Sequence, residues 1–134
     1  MFPEAIVYGT NLKDTIQYEF ATDYGKEYNF KIIPNLKEIK NIDLVFASEY
    51  FEHILNPIDH LIEVLYYSNT KNLIIANSFN TKSIGHFNEY QVADKTVPAS
   101  KLSRIFNSEL RNQGWNQIKT EIWNNKPAYW TDEI

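Results

Sequence analysis

The chain has 134 residues, no cysteine and a formal net charge of −4. That length suits one domain, 1–134, with a sizeable core. The missing cysteines exclude disulfides and thiolate metal ligands, and the mild acidity carries no nucleic-acid footprint. Hydrophobic residues make up 43%, charged residues 22% and aromatics 15%, which argues against disorder. No apolar run approaches the roughly 18 residues of a membrane span. The N-terminal Met-Phe-Pro-Glu has no basic n-region or apolar h-region, so the cytoplasm is the expected location. Gly9, Gly25, Gly85 and Gly114 lie far apart, which excludes a glycine-rich phosphate loop.

In chain order, Ala5 to Gly9 reads as a short strand. Leu12 to Thr22 has near-helical apolar spacing, with Thr10 or Asn11 as cap and Gly25 as terminator. Tyr28 to Ile33 is a second strand with Tyr28, Phe30 and Ile32 on one face, ended by Pro34-Asn35. Ile42 to Ala47 is almost wholly apolar, as expected of a strand covered on both faces. Asn56 and Pro57 open a helix whose inward stripe is Ile58, Leu61, Ile62 and Leu65.

Leu73 to Ala76 is a further buried strand. Asn77 to Val97 reads as a long polar loop, the kind that is often functional. Pro98 starts a helix with Leu102, Ile105, Phe106 and Leu110 inward and Gly114 at C′. Trp115 to Trp123 and Ala128 to Thr131 form an antiparallel pair. Strands alternating with helices predict an α/β fold with a mostly parallel sheet and an antiparallel C-terminal strand pair.

The polar signal concentrates at Ser48 to His53. Glu49, Glu52 and His53 stand at spacings of three and four, one face of a helical turn, directly after a strand. Two carboxylates and an imidazole suit acid/base chemistry or a hard divalent cation, with Mg2+ or Mn2+ favoured by the oxygen share. The plainer reading is that Glu52 and His53 pack and Ser48 caps the turn.

These stretches together resemble the class I S-adenosylmethionine-dependent methyltransferases. The run IDLVFASEYFEHILNP is similar to the family's fourth strand with its Glu-His and proline-started helix. NLIIANSFN resembles the fifth strand, and the C-terminal pair resembles the closing antiparallel strands. Gly9-Thr-Asn11 stands where the family has Gly-x-Asp after its second strand.

The resemblance implies a Rossmann-like sheet whose N-terminal βα unit, with the Gly-x-Gly-x-Gly turn, has no counterpart before Ala5. It implies S-adenosylmethionine as methyl donor, with Gly9, Asn11 and Ser48 as cofactor contacts and asparagine in place of the ribose-binding acid. Glu49, Glu52 and His53 are the implied catalytic residues. The spacing further resembles a metal motif of the small-RNA 3′-terminal 2′-O-methyltransferases and of the ubiquinone-pathway O-methyltransferases, the former of which add a histidine after the fifth strand. His86, in His86-Phe-Asn-Glu-Tyr90, is similar to that histidine.

Two functions stay open. One is O-methyl transfer to a small-molecule or nucleoside-type hydroxyl, assisted by a cation on Glu49, Glu52, His53 and His86. The other is a non-catalytic or split-enzyme subunit, whose uncovered sheet edge takes a partner chain or another copy.

Overall fold

The computed structural model describes residues 4–11, 13–118 and 127–133. The chain is mixed α/β and forms two compact units, residues 1–39 and residues 40–134.

In the first unit, β1 (Val7–Thr10) and β2 (Phe30–Ile33) pair in parallel, with Val7 opposite Phe30 and Thr10 opposite Ile33. The connection is α1 (Ile16–Tyr28). Thr15 caps this helix: its hydroxyl accepts the Tyr18 N–H at 3.1 Å. Asn29 ends it in the left-handed conformation, which asparagine tolerates. The helix therefore starts later than its apolar spacing suggests. Neither Asn11 nor Thr10 is the cap, and Gly25 lies inside the helix. A Cβ on Gly25 would come within 2.6 Å of the Phe30 carbonyl oxygen, so glycine permits the close packing of α1 on β2. Tyr28 belongs to the helix rather than to the strand, and it is exposed together with Ile16, Phe20 and Tyr24.

In the second unit, a four-stranded sheet has the order β3 (Val45–Ser48), β4 (Asn72–Ala76), β8 (Ala128–Thr131), β7 (Asn116–Ile118). The β3–β4 ladder is parallel, with Ser48 opposite Ala76. The β4–β8 and β7–β8 ladders are antiparallel. The stretch of the expected C-terminal pair from 119 to 126, including Trp123, lies outside the described residues.

Helix α2 (Pro57–Ser68) joins β3 to β4, with proline in its first turn as expected. Its buried stripe is Ile58, Leu61, Val64 and Ser68, rotated from the predicted one, and Ile62 is exposed. Helix α3 (Ala99–Asn112) buries Leu102, Phe106 and Leu110, and Gly114 follows it at φ +91°. There the Trp115 N–H reaches back to the Leu110 carbonyl, the long bond of a Schellman cap. Alternate sheet positions Ala47, Leu73, Ile75 and Trp130 are buried with these helical residues. Arg111 of α3 lies over the Trp130 ring, 5.4 Å from its centroid.

Two expectations are corrected in this unit. The strand after Ile42 is not covered on both faces, because Phe46 is 66% exposed and Leu44 is also exposed. The 77–97 stretch is not one irregular loop either. It contains an antiparallel hairpin, β5 (Glu89–Val92) and β6 (Lys95–Pro98), turning at Ala93 and Asp94. Among the described residues parallel ladders join only β1 to β2 and β3 to β4, so the sheets are not mostly parallel. No described helix is long and apolar enough to cross a membrane.

Candidate metal centre

The site grows from the point where β3 and β4 end side by side. Beyond Ser48 the chain turns sharply, because Glu49 adopts a left-handed backbone with φ +51°. That conformation costs a residue with a Cβ about 1 kcal/mol or more. It is held by the Glu49 N–H, which donates to the Ala76 carbonyl at 2.8 Å and carries the sheet pairing one step further. A 3-10 turn, Phe51–His53, follows. Glu49, Glu52 and His53 thus do not share a helical face. Glu49 precedes the turn and is exposed, Glu52 is fully buried, and His53 is exposed.

Ser78, two residues past β4, ties the carboxylates together. Its backbone N–H donates to Glu52 Oε1 at 2.9 Å and its hydroxyl donates to Glu49 Oε1 at 2.9 Å. Tyr90 of β5 donates its hydroxyl to the Glu52 carbonyl at 2.9 Å. Burial, aided by the Glu52 charge, pushes the Tyr90 phenol up, so it stays a neutral donor. The hairpin is further attached through the Gln91 N–H, which donates to the Leu55 carbonyl at 2.9 Å. Beneath the site the rings of Phe51, Phe106, Phe79 and Tyr90 form a chain of contacts with centroids 4.9 to 5.5 Å apart.

The polar stretch before the hairpin brings in His86. A carbonyl oxygen only accepts, so the 2.9 Å contact of His86 Nδ1 with the Thr81 carbonyl places the ring proton on Nδ1 and leaves the Nε2 lone pair for a ligand. His53 is arranged in the same way, with Nδ1 donating to the Gly85 carbonyl at 3.2 Å. Gly85 has φ +80°, and a Cβ there would meet His53 Nδ1 at 2.8 Å, so both backbone and space call for glycine. The two imidazoles meet edge to face at 4.7 Å.

Glu49, Glu52 and His86 each offer one ligand atom, and these atoms lie within 4.8 Å of one another. Ligands on opposite sides of one Mg2+ stand about 4.2 Å apart, and around Ca2+ about 5 Å, so the group as it stands spans a Ca2+ sphere and would have to close by about 0.6 Å around Mg2+. Glu52 Oε2 is buried with no hydrogen-bond partner among the described residues. A carboxylate oxygen so placed is costly unless a positive charge or a proton meets it. A cation fits both the donor set and this orphaned atom.

Of the four metal ligands expected from sequence, three converge. His53 lies beside them, packed on His86, rather than among them. Of the expected cofactor contacts, Ser48 is exposed at the end of β3, whereas Gly9 and Asn11 belong to the first unit. The space a Gly9 side chain would take is filled by Ile32, 2.8 Å from the Cβ position. Sequence reading missed Ser78 as the clamp between the carboxylates. A small hydroxyl residue two positions after a strand parallel to the Glu-bearing one was its only signal.

On α2, His60 Nε2 meets the Tyr50 hydroxyl at 2.8 Å and Nδ1 lies 3.5 Å from Glu63. Burial pushes His60 below its ordinary 6.5, outweighing the upward pull of Glu63. The unfolded chain then takes up this proton first. The contribution of His60 to stability is complete above pH 6.5 and is lost as pH falls through that value toward the lower folded one. Denaturation followed from pH 7.5 to 5 should show this loss in the native chain and a flatter profile in His60→Gln.

No protein-family model, no curated protein and no solved structure matches this chain.

Proposed function

We propose that this chain is a methyltransferase-like α/β protein whose 40–134 unit holds a divalent cation for O-methyl transfer from S-adenosylmethionine. The observation that carries the reading is the convergence of Glu49, Glu52 and His86 near the ends of two parallel strands, with one Glu52 oxygen left without a partner among the described residues. Parallel neighbours β3 and β4 joined by a proline-started helix, followed by an antiparallel closing pair, agree with the strands that the sequence resemblance implies. They support a Rossmann-like reading of this unit.

Glu49, Glu52 and His86 would hold Mg2+ or Mn2+. When bound there, such an ion supplies polarisation of a substrate hydroxyl, lowering its pKa. Ser78 fixes the two carboxylates relative to each other. His53, with its Nε2 lone pair free of the Nδ1 contact, is the base this chain offers for the hydroxyl proton. The transfer forms the oxygen–carbon bond, breaks the carbon–sulfur bond with its electron pair going to sulfur, and leaves the proton on His53. Small hydroxyl compounds and nucleosides both offer such an acceptor. Ser48, at the end of β3 and next to Glu49, is the proposed contact of the methyl donor in this unit.

Calorimetric titration of S-adenosylmethionine into the full chain, with and without Mn2+, tests the reading. Binding that Mn2+ strengthens is the expected result, and no heat under either condition would overturn it.

A second reading rests on the exposed stripe of Ile16, Phe20, Tyr24 and Tyr28 along α1. Apolar residues at constant spacing on an uncovered helix favour a subunit that binds a partner chain or another copy.

A further inference from the structure

The turn that presents Glu49 has few local supports. Its left-handed residue is a glutamate, and the 3-10 turn that follows has no side-chain cap at Tyr50. The Ala76 and Ser78 contacts fix Glu49 from the β4 side. On the other side the fixation comes from α2. Tyr50 reaches His60 with its hydroxyl at 2.8 Å, and the two rings lie 5.6 Å apart. Phe51, fully buried, stands edge-on to both: its ring is 5.2 Å from Tyr50 and 6.0 Å from His60.

His60 is itself well placed for this. Its backbone N–H is bonded to the Asn56 carbonyl in the first turn of α2, and its Nδ1 faces Glu63 one helical turn on. With Nδ1 directed at a carboxylate, the ring proton is favoured there and Nε2 is left to accept from Tyr50. The order carboxylate, imidazole, hydroxyl thus runs from α2 into the residue next to a proposed ligand.

We propose that His60, acting through the Tyr50 hydroxyl, is a positioning residue that holds the Glu49 carboxylate in place for a divalent cation. The proposal rests on the cation reading of the Glu49–Glu52–His86 cluster. Neither Tyr50 nor His60 belongs to the group that would hold the ion. Their work is to fix the backbone between two ligands, as residues behind a ligand do in metal sites generally.

Mn2+ alone is the probe. Tyr50→Phe removes only the hydroxyl, and His60→Phe removes the acceptor while keeping a ring. Each should weaken Mn2+ binding about tenfold, within the range for residues that orient ligands. The double variant should bind no more weakly than either single one, because both changes break the same link. His60→Gln keeps an acceptor and should recover most of the affinity. Mn2+ binding by both phenylalanine variants within about twofold of the native chain would overturn the proposal, as would losses that simply add.

If the native chain takes up no Mn2+, the cation reading fails first, and positioning of a cation ligand fails with it. Amide exchange then shows whether the link itself exists. Residues 49–53 should exchange faster in Tyr50→Phe than in the native chain, and unchanged exchange would remove the link too.

Discussion

Glu52→Gln should abolish cation binding while leaving the fold intact. The side chain is fully buried, and Oε2 has no partner among the described residues. Glutamine fills the same volume and keeps a carbonyl oxygen for the Ser78 N–H, which now donates to Oε1 at 2.9 Å. It exchanges a buried charge whose desolvation opposes folding for a buried amide NH2 with no described partner, two costs of similar size, so the metal-free protein should change in stability by no more than about 1 kcal/mol. Loss of a charged ligand should cost Mn2+ affinity at least about a hundredfold, the upper end of what removing a supporting residue costs.

Glu52→Ala should behave differently. It leaves the Ser78 N–H buried without an acceptor and opens a cavity, at about 1–3 kcal/mol for the donor alone. Urea denaturation of both variants, with and without Mn2+, checks the pair of results. Equal Mn2+ stabilisation of Glu52→Gln and the native protein would contradict the assignment.

Phe106→Ala should produce the largest loss of stability, about 3–5 kcal/mol. Phe106 is fully buried on α3 and its ring meets Phe51 at 4.9 Å and Phe79 at 5.5 Å. Phe51 immediately precedes Glu52, and Phe79 immediately follows Ser78. A cavity here therefore frees both arms of the carboxylate clamp at once. Phe106→Leu refills most of the space and should cost less. It should remain folded and still bind Mn2+ more weakly than the native chain, because Leu cannot reproduce the ring contacts to Phe51 and Phe79. A folded Phe106→Leu with native Mn2+ affinity would show that the aromatic layer does not position the clamp.

Much of the scaffold was legible because it depends on local chemistry. Pro57 at the head of α2, the apolar Leu73 to Ala76 strand, the Leu102–Phe106–Leu110 stripe and the Gly114 cap are all written in spacing and backbone preference. What escaped was set by tertiary contacts or by unusual turn residues. The β5–β6 hairpin turns at Ala93 and Asp94, with Ala93 at φ +50°, so no glycine or asparagine marked it. Its place is fixed instead by the burial of Tyr90 and its bond to Glu52. The cap is Thr15 rather than the expected Thr10 or Asn11, because it stands where the helix begins.

The site was legible in its membership and not in its geometry. Spacings of three and four suggested a helical face bearing Glu49, Glu52 and His53. The left-handed Glu49 breaks that face, and it is held from another strand, by the Ala76 carbonyl at the end of β4 and by Ser78 just beyond it. His86 was reached through the family resemblance. Its ligand nitrogen is exposed by a bond from its other nitrogen to Thr81, a relation no spacing reveals.

Titration of Mn2+ into the isotopically labelled native chain, read by paramagnetic broadening of its amide signals, tests the central claim most directly. One ion should broaden Glu49, Glu52, Ser78 and His86 first, at less than one equivalent, and leave Asp43, Asp132 and Glu133 at the opposite end of β3 and β4 sharp. Uniform weak broadening, or broadening that begins at those other carboxylates, would contradict a cation site on Glu49, Glu52 and His86.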